Sequence, residues 1–202
     1  FLSPSTVRKH IENIYKKLQV HSKIEAGELT FSHESFNLEA LAQQVVDLFQ
    51  VANRQKGVEL GLEFEDGMPL AINGDPSRLR QVLVNLVGNA VKFTDEGSVS
   101  ITGAIEDEQL TVRVTDTGIG ILPEHVPVIF EEFRQADGTT SRRFGGTGLG
   151  LPISRALVEM MGGEIWVESE VDRGTTFHFT VKMGLGRERR ESRPAAATGL
   201  VN

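Results

Sequence analysis

The spacing of apolar residues along the chain predicts helices that alternate with strands. Residues 7–18 hold apolar side chains at i, i+4, i+7 and i+11, which predicts an amphipathic N-terminal helix. Similar stripes predict three further helices, at 38–49, 79–91 and 153–161. Period-two alternation predicts the strands, which are 58–64, 70–72, 99–105, 110–114, 165–167 and 177–181. Helices and mixed strands in this order predict an α+β fold, a two-layer α/β sandwich with the helices on one face of the sheet.

Turn and cap residues mark the ends of several elements. Gly27 is predicted to end the first helix in the left-handed conformation, and Asn37 and Asp75 to cap the next two helices. Phe31 and Phe36 are expected to anchor a short extended link after the first helix. The periodicity is lost after residue 183, so the remaining residues are predicted to be a disordered linker.

Composition narrows the class of protein. The 202 residues include no cysteine, which excludes disulfides and thiolate metal sites. They also include no apolar run of 18 or more, which argues against a membrane span, and we expect a cytoplasmic protein. Residues 1–27 carry a net charge of +3 and the remainder −10, which gives the total of −7. The main body is therefore expected to bind nucleic acid poorly.

The stretch FGGTGLGLPI, residues 144–153, places four glycines before a predicted helix. Glycine is needed where the backbone adopts positive φ or approaches another group closely. Successive N–H groups of such a loop, with the positive end of the following helix, form a phosphate site. A plain hinge uses the same composition, so the loop alone leaves both interpretations open.

Three polar side chains share one face of the third predicted helix. Asn85, Asn89 and Lys92 lie at i, i+4 and i+7. Asparagine is an indifferent helix former, so these amides are expected to have partners. Either the amides satisfy neighbouring loop backbone, or Asn89 offers an oxygen to Mg²⁺ while Asn85 lies beside phosphates whose charge Lys92 neutralises.

Asp116 ends a predicted strand and is followed by Gly118 and Gly120. A carboxylate held at a strand end in an apolar pocket suits the exocyclic amine of adenine, and a structural turn is the rival interpretation. Further along, Phe133 is predicted to anchor the core and Arg134 to contact phosphate. Residues 138–143 are predicted to form a lid over nucleotide.

Five sequence words occur in order: NLVGNAVKFT, DTGIGI, FEEF, GGTGLGL and RGTTF. They are similar to the N, G1, F, G2 and G3 boxes of the catalytic ATP-binding domain of sensor histidine kinases, in the GHKL superfamily. The resemblance covers about residues 22–183 and implies the Bergerat ATP-binding fold, with ATP and Mg²⁺ as cofactors. The wording of residues 135–154 particularly resembles hybrid kinases, in which a receiver domain comes next.

This resemblance implies roles for individual residues. It makes Asn89 the Mg²⁺ ligand, and Asn85 and Lys92 the catalytic partners on the phosphate side. It makes Asp116 the residue that recognises adenine. The other nucleotide-binding residues that it implies are Gly118, Gly120, Phe133, Arg134, Gly146, Thr147, Gly148, Leu149 and Gly150, with Thr176 near the adenine-side water.

The N-terminal stretch LSPSTVRKHIENIYKKLQVHSKIEA resembles the recognition helix and following turn of LuxR-type helix-turn-helix regulators. The resemblance implies DNA contacts by Thr6, Arg8, Lys9, His10 and Asn13. Composition alone instead favours an amphipathic helix with a solvated basic face. The helices that would position a recognition helix do not occur in these residues, so we predict no specific DNA binding by this chain alone.

Together the resemblances predict four segments. These are a LuxR-like helical segment (1–21), the end of a dimerisation helix with its linker (22–36), the catalytic ATP-binding domain (37–183) and the tail (184–202). The predicted partners are a histidine-bearing dimerisation domain, a response-regulator receiver domain and a second copy of the chain through the N-terminal helices.

The predicted function is transfer of the γ-phosphate of ATP to a histidine that lies outside this chain. His33 follows Gly27 and lacks the Arg-Thr-Pro of a phosphoacceptor box, and His10 is followed by Ile11, so autophosphorylation is not expected. One alternative is a GHKL ATPase or Ser/Thr anti-sigma kinase. Another is a DNA-binding regulator with an incidental nucleotide site.

Overall fold

The computed structural model describes residues 4–53, 56–69, 71–132 and 148–185, without the side chains of 4–11, 13, 16, 51–53 and 185. The helices are α1 (Pro4–Glu25), α2 (Leu38–Asn53), α3 (Pro76–Phe93) and α4 (Gly150–Met160), with a 3-10 turn at Val126–Val128. The strands are β1 (Glu34–Asn37), β2 (Glu59–Phe64), β3 (Ala71–Gly74), β4 (Ser98–Glu106), β5 (Gln109–Asp116), β6 (Ile165–Glu170), β7 (Gly174–Lys182) and β8 (Gly184–Leu185).

A five-stranded sheet in the order β2-β4-β5-β7-β6 forms the main layer. The β2–β4 pair is parallel and the other pairs are antiparallel. Side chains alternate between the two faces of a strand, and on β5 the residues Leu110, Val112 and Val114 are buried. Helices α2, α3 and α4 supply the opposite side of the core, through residues such as Leu86 and Leu157. The predicted two-layer α+β sandwich is therefore confirmed.

A small second sheet, β1-β3-β8, differs from the sequence prediction. The stretch around Phe36, predicted to be an extended link, is a strand that pairs antiparallel with β3, so that Phe36 lies opposite Ile72. Strand β8 also pairs with β3, so regular structure extends through Leu185, past the predicted domain end at residue 183.

Helix α1 is continuous across the predicted segment boundary at residues 21 and 22. It ends as predicted at Gly27, whose φ is 66°. The N–H of Glu28 donates to the carbonyl of Lys23 and that of Gly27 to Ile24, which is a Schellman-type end. The helix packs against α4. None of the helices in the described residues has the length and apolar character needed to cross a membrane.

Asp75 joins two parts of the fold. Its Oδ1 accepts from the N–H of Arg78 at 2.9 Å and so caps α3, as predicted, and its Oδ2 accepts from the N–H of Ser32 at 2.9 Å. The side chain is buried, at 5% exposure. One carboxylate therefore fixes both the start of α3 and the segment that follows α1.

We expect Asp75→Ala to lower the free energy of unfolding by about 2 kcal/mol, because one substitution removes a helix cap and leaves the partly buried N–H of Ser32 without its acceptor. Chemical denaturation followed by circular dichroism measures the change. The exposed turn residue Asp66 provides the control, since Asp66→Ala should change the value by less than about 0.5 kcal/mol. Equal effects of the two substitutions would contradict the bridging role of Asp75.

Candidate active site

Asp116 lies on the buried, helix-facing side of β5, on the same face as Val112 and Val114. Its side chain is 5% exposed. Oδ1 accepts from the N–H of Gly118 at 2.9 Å, and the backbone of Thr175 also donates to the carboxylate. Burial raises the pKa of Asp116, and the two backbone hydrogen bonds oppose that shift. The strand thus holds an acceptor in a site with little water.

Close backbone packing fixes the segment after Asp116. A Cβ at Gly118 would collide with the carbonyl oxygen of Phe93, the last residue of α3. The N–H of Ile119 donates to that same oxygen at 3.3 Å. Gly120 has φ +69° and lies against the backbone of Glu170. These contacts place Asp116 beside the C-terminal end of α3.

The structure corrects the position of one predicted residue. Asp116 pairs with Thr175 across β5 and β7, whereas Thr176 pairs with Thr115. Opposite residues of an antiparallel pair share a face and consecutive residues alternate, so Thr176 points to the other side of the sheet from Asp116. Its Oγ1 lies 3.1 Å from that of Thr115. Thr175, which is buried, is the threonine on the side of Asp116.

Asn85 connects α3 to the start of α4. Its Nδ2 donates to the carbonyl of Gly150 and to Oγ of Ser154, both at 3.2 Å, and Ser154 in turn donates to Gly150 at 3.0 Å. A Cβ at Gly150 would lie 3.8 Å from Oδ1 of Asn85. Part of the Asn85 amide therefore satisfies neighbouring backbone, which was one of the two interpretations, while its oxygen faces the glycine segment.

Asn89 and Lys92 lie one and two turns further along α3, and both are half-buried. Within the described part of the chain, Asn89 has no side-chain hydrogen bond. Nζ of Lys92 lies 4.6 Å from the ring centroid of Phe93. Burial lowers the pKa of Lys92, and the nearby charge of Lys17 lowers it further. Both causes favour the neutral amine of Lys92 over its ammonium form.

The glycine segment is described from Gly148 onwards. Gly148 has φ +68°, a conformation that favours glycine, and Leu149 is buried. Helix α4 begins at Gly150, and no side chain caps it. The start of α4 thus directs backbone N–H groups and the positive end of a helix towards the region of Asn85.

Apart from Thr176, the sequence-predicted site residues divide into three groups. The structure brings together those on α3, at the end of β5 and at the start of α4, which are Asn85, Asn89, Lys92, Asp116, Gly118, Gly120, Gly148, Leu149 and Gly150. Four others lie outside the described residues: Phe133, Arg134, Gly146 and Thr147. The candidate DNA-contacting residues Thr6, Arg8, Lys9, His10 and Asn13 lie on α1, and their side chains are likewise not described.

Sequence reasoning missed three residues of this region. Thr175 was one position away from the predicted Thr176, and counting the strand pairing back from Asp116 would have found it. Ser154 lies one turn after Gly150 and holds Asn85. Lys17 comes from α1 and carried no sequence signal, because only the packing of α1 on α4 brings it near.

One group of ligand-type side chains outside this site has metal-compatible spacing within the described residues. His21 Nε2 lies 3.3 Å from Oε2 of Glu132 and 3.9 Å from Oε1 of Glu25. The carboxylates are exposed while the imidazole is mostly buried. These contacts join α1 to the segment that follows the 3-10 turn.

Comparison with known protein families gives two matches. Residues 74–185 match the family of histidine kinase-, DNA gyrase B- and HSP90-like ATPases. Residues 1–29 match the luxR family of bacterial regulatory proteins.

Curated relatives include two sensor proteins. The sensor protein GacS of Pseudomonas syringae pv. syringae is 44% identical over 195 residues, which cover 92% of this chain and 21% of GacS. The signal transduction histidine-protein kinase BarA of Escherichia coli (strain K12) is 43% identical over 169 residues, which cover 81% of this chain and 18% of BarA. The chain thus spans about a fifth of the length of these relatives.

Solved structures of the same class superpose well. Full-length ShkA in complex with AMPPNP gives a TM-score of 0.79 at 32% identity, covering 88% of this chain and 36% of ShkA. The nucleotide-free catalytic domain of the histidine kinase ThkA gives 0.64 at 31% identity, covering 75% of this chain and 95% of that domain.

Proposed function

Because this chain belongs to the histidine kinase-, DNA gyrase B- and HSP90-like ATPase family and contains the catalytic ATP-binding domain of sensor histidine kinases, we propose that it binds ATP with Mg²⁺ and donates the γ-phosphate to a histidine on a separate dimerisation domain. The main support is the arrangement of polar groups along α3. Asp116 lies beside Phe93, the C-terminal residue of this helix. Asn85 lies eight residues before Phe93, against the start of α4. That separation is about 12 Å along the helix, which an extended nucleoside triphosphate can bridge.

Adenine occupies the end of this site nearest β5. The Asp116 carboxylate accepts the exocyclic N–H, and Thr175 lies on the same side of the sheet. A buried acceptor of this kind selects against bases that present a carbonyl at the same position, because two acceptors facing each other in a dry site leave both unpaired. This supports adenine over guanine as the base.

The triphosphate lies towards the start of α4. Its negative charge is met by Lys92, by the N–H groups of Gly148 and Gly150 and by the positive end of the helix. Leu149 is buried and Asn85 donates to the carbonyl of Gly150, so the start of α4 is fixed before nucleotide arrives and charge neutralisation there requires little reorganisation. Phosphoryl transfer depends mostly on such positioning and charge compensation.

The donor set on α3 fits Mg²⁺. Asn89 offers a hard amide oxygen, and Mg²⁺ is commonly bound through one or two protein oxygens together with phosphate oxygens and water. Bound there, the ion would neutralise charge on the phosphates. Asn85 contributes differently: its hydrogen bonds to Gly150 and Ser154 hold α3 and α4 at the distance that the phosphates require.

The acceptor histidine belongs to another domain. His33, exposed in the segment after α1, and His10 both lack the sequence surroundings of a phosphoacceptor. We propose a histidine-bearing dimerisation domain as the immediate partner and a receiver domain as the next one, since the relatives GacS and BarA are sensor proteins much longer than this chain. ATP as substrate supports a cytoplasmic location for the reaction.

The alternative of an independent ATPase finds less support. Water attack requires a general base, and Asn85, the α3 residue that faces the start of α4, is an amide whose N–H₂ donates to Gly150 and Ser154. An amide does not take up a proton at neutral pH. Steady hydrolysis of ATP is therefore expected to be slow.

The function is tested with radiolabelled ATP. We expect the chain alone to acquire no label on histidine, and an added dimerisation domain from a relative to become labelled in its presence. The control is the same domain with its phosphoacceptor histidine changed to Gln, which should remain unlabelled. Acid-labile label on a histidine of this chain, or no label on either protein although ATP binds, would contradict the proposal.

A further inference from the structure

Helix α1 brings a lysine to the start of α4. A Cβ built at Gly150 would lie 3.4 Å from Nζ of Lys17 and 3.8 Å from Oδ1 of Asn85. The Lys17 ammonium group is therefore beside the glycine segment and close to the Asn85 amide, although it comes from the opposite end of the sequence. Sequence words of the catalytic domain do not include this residue.

The position of Lys17 is fixed by the rest of α1. Val20 and Ile24 lie three and seven residues further on, so they share a helix face with Lys17, and both pack against the hydrophobic core. His21, on the same side, lies 3.3 Å from Glu132. A face anchored by apolar packing and by a polar contact presents Lys17 to the site in a defined direction.

Lys17 and Lys92 place two cations on the same side of the site. Burial lowers the pKa of Lys17, and the charge of Lys17 is one cause of the lowered pKa of Lys92. Among the described residues, no carboxylate forms an ion pair with Lys17. Two ammonium groups held near each other and partly out of water repel, and an anion between them removes the repulsion.

We propose that Lys17 of α1 is a phosphate-binding residue of the nucleotide site and contacts the terminal phosphates of a nucleoside triphosphate. This rests on the proposed function, because it assigns a further residue to the same site. The N-terminal helix then forms one wall of the site as well as preceding the domain. Nucleotides with two or more phosphates gain the contact with Lys17, whereas adenosine does not.

The charge of Lys17 favours this role over that of a plug that blocks the site. A blocking side chain competes with nucleotide and is displaced by it. A cation next to a second cation gains favourable interactions when a polyanion enters, so its presence strengthens binding. The two roles predict opposite changes in affinity when Lys17 is removed.

The test compares Lys17→Ala, Lys17→Arg and Lys23→Ala by isothermal titration with ATP, ADP and adenosine. Lys23 is an exposed lysine in the last turn of the same helix, which makes it the matched control. We expect Lys17→Ala to raise the Kd for ATP about tenfold, as expected for one charge-assisted hydrogen bond, and to leave that for adenosine unchanged. The Kd of Lys17→Arg for ATP should stay within about threefold of the wild-type value, and that of Lys23→Ala should equal the wild-type value.

Several outcomes overturn the assignment. Unchanged or tighter ATP binding by Lys17→Ala excludes a phosphate contact, and tighter binding identifies a plug. An equal loss for ATP and adenosine shows that the substitution disturbs the fold, which Lys17→Arg and the thermal midpoint of the apo protein check independently. If wild-type protein binds no ATP, the proposed function fails; if wild type binds and Lys17→Ala is equal to it, only the role of Lys17 fails.

Discussion

Asp116→Asn is expected to weaken ATP binding about 100-fold, because it replaces an ionised acceptor by an amide whose N–H₂ faces the N–H₂ of adenine. Titration calorimetry with ATP and with GTP measures the loss, and discrimination between the two bases should decrease as well. Asp107→Asn is the matched control, since Asp107 is an exposed turn residue with φ 47°, which Asn tolerates. Wild-type affinity for ATP in Asp116→Asn would exclude Asp116 as the adenine acceptor.

The same variant should keep its stability at neutral pH. Burial raises the folded-state pKa of Asp116 above 3.8, so the native state binds the proton more tightly than the unfolded state does. Stability therefore falls as the pH rises from 3.8 through the raised pKa, and above it the buried charge is a net cost. Asp116→Asn removes that cost, and its thermal midpoint at pH 7 should equal or exceed that of wild type.

ATP affinity has the opposite pH dependence. The ionised carboxylate only accepts hydrogen bonds, whereas the protonated carboxyl group also donates one. Affinity for ATP therefore falls as the pH drops through the raised pKa of Asp116. This loss should be absent from Asp116→Asn.

Asn89→Ala is expected to remove the magnesium dependence of nucleotide binding. In wild type, chelation of Mg²⁺ with EDTA should raise the Kd for ATP about tenfold or more, whereas in Asn89→Ala the values with and without EDTA should agree. Phosphoryl transfer to an added dimerisation domain should fall about 100-fold, since charge on the phosphates is then less well neutralised. Titrations with and without EDTA and single-turnover transfer assays measure the two effects.

Two further variants sharpen this prediction. Asn89→Asp keeps a hard oxygen at the same position and should retain the response to Mg²⁺. Glu132→Gln alters the group formed by His21, Glu25 and Glu132; it removes a contact of α1 but should leave the response to Mg²⁺ unchanged. A normal magnesium response in Asn89→Ala would show that another residue is the Mg²⁺ ligand.

Local signals made much of the structure predictable. Asp75, Asn37 and Gly27 act within three or four residues of their own positions, so the sequence around each one is sufficient to predict its cap. The main sheet followed from alternation that the structure retains in β4 and β5. The buried position of Asp116 at the end of β5 was predictable because a strand end and two glycines, one of which has positive φ, coincide there.

Other features depend on contacts between distant parts of the chain. Strands β1 and β8 are short, and only their pairing with β3 defines them, so neither has a pattern long enough to detect. Predicting that Thr175, and not Thr176, lies beside Asp116 requires the pairing register between β5 and β7. Lys17 depends on how α1 packs, and the composition of that helix favours a solvated basic face just as well.

The continuity of α1 makes the nucleotide site sensitive to helical phase. An α-helix turns about 100° and advances 1.5 Å per residue, and no break separates Lys17 from the anchoring residues Val20 and Ile24. Deleting one residue between Leu18 and Val20 would rotate Lys17 away from Gly150 while the anchors stayed in place. Deleting seven residues upstream of Ile24 would return a different residue to nearly the same angle. If Lys17 binds phosphate as proposed, a rotation of any preceding sequence about the axis of α1 changes the phosphate site.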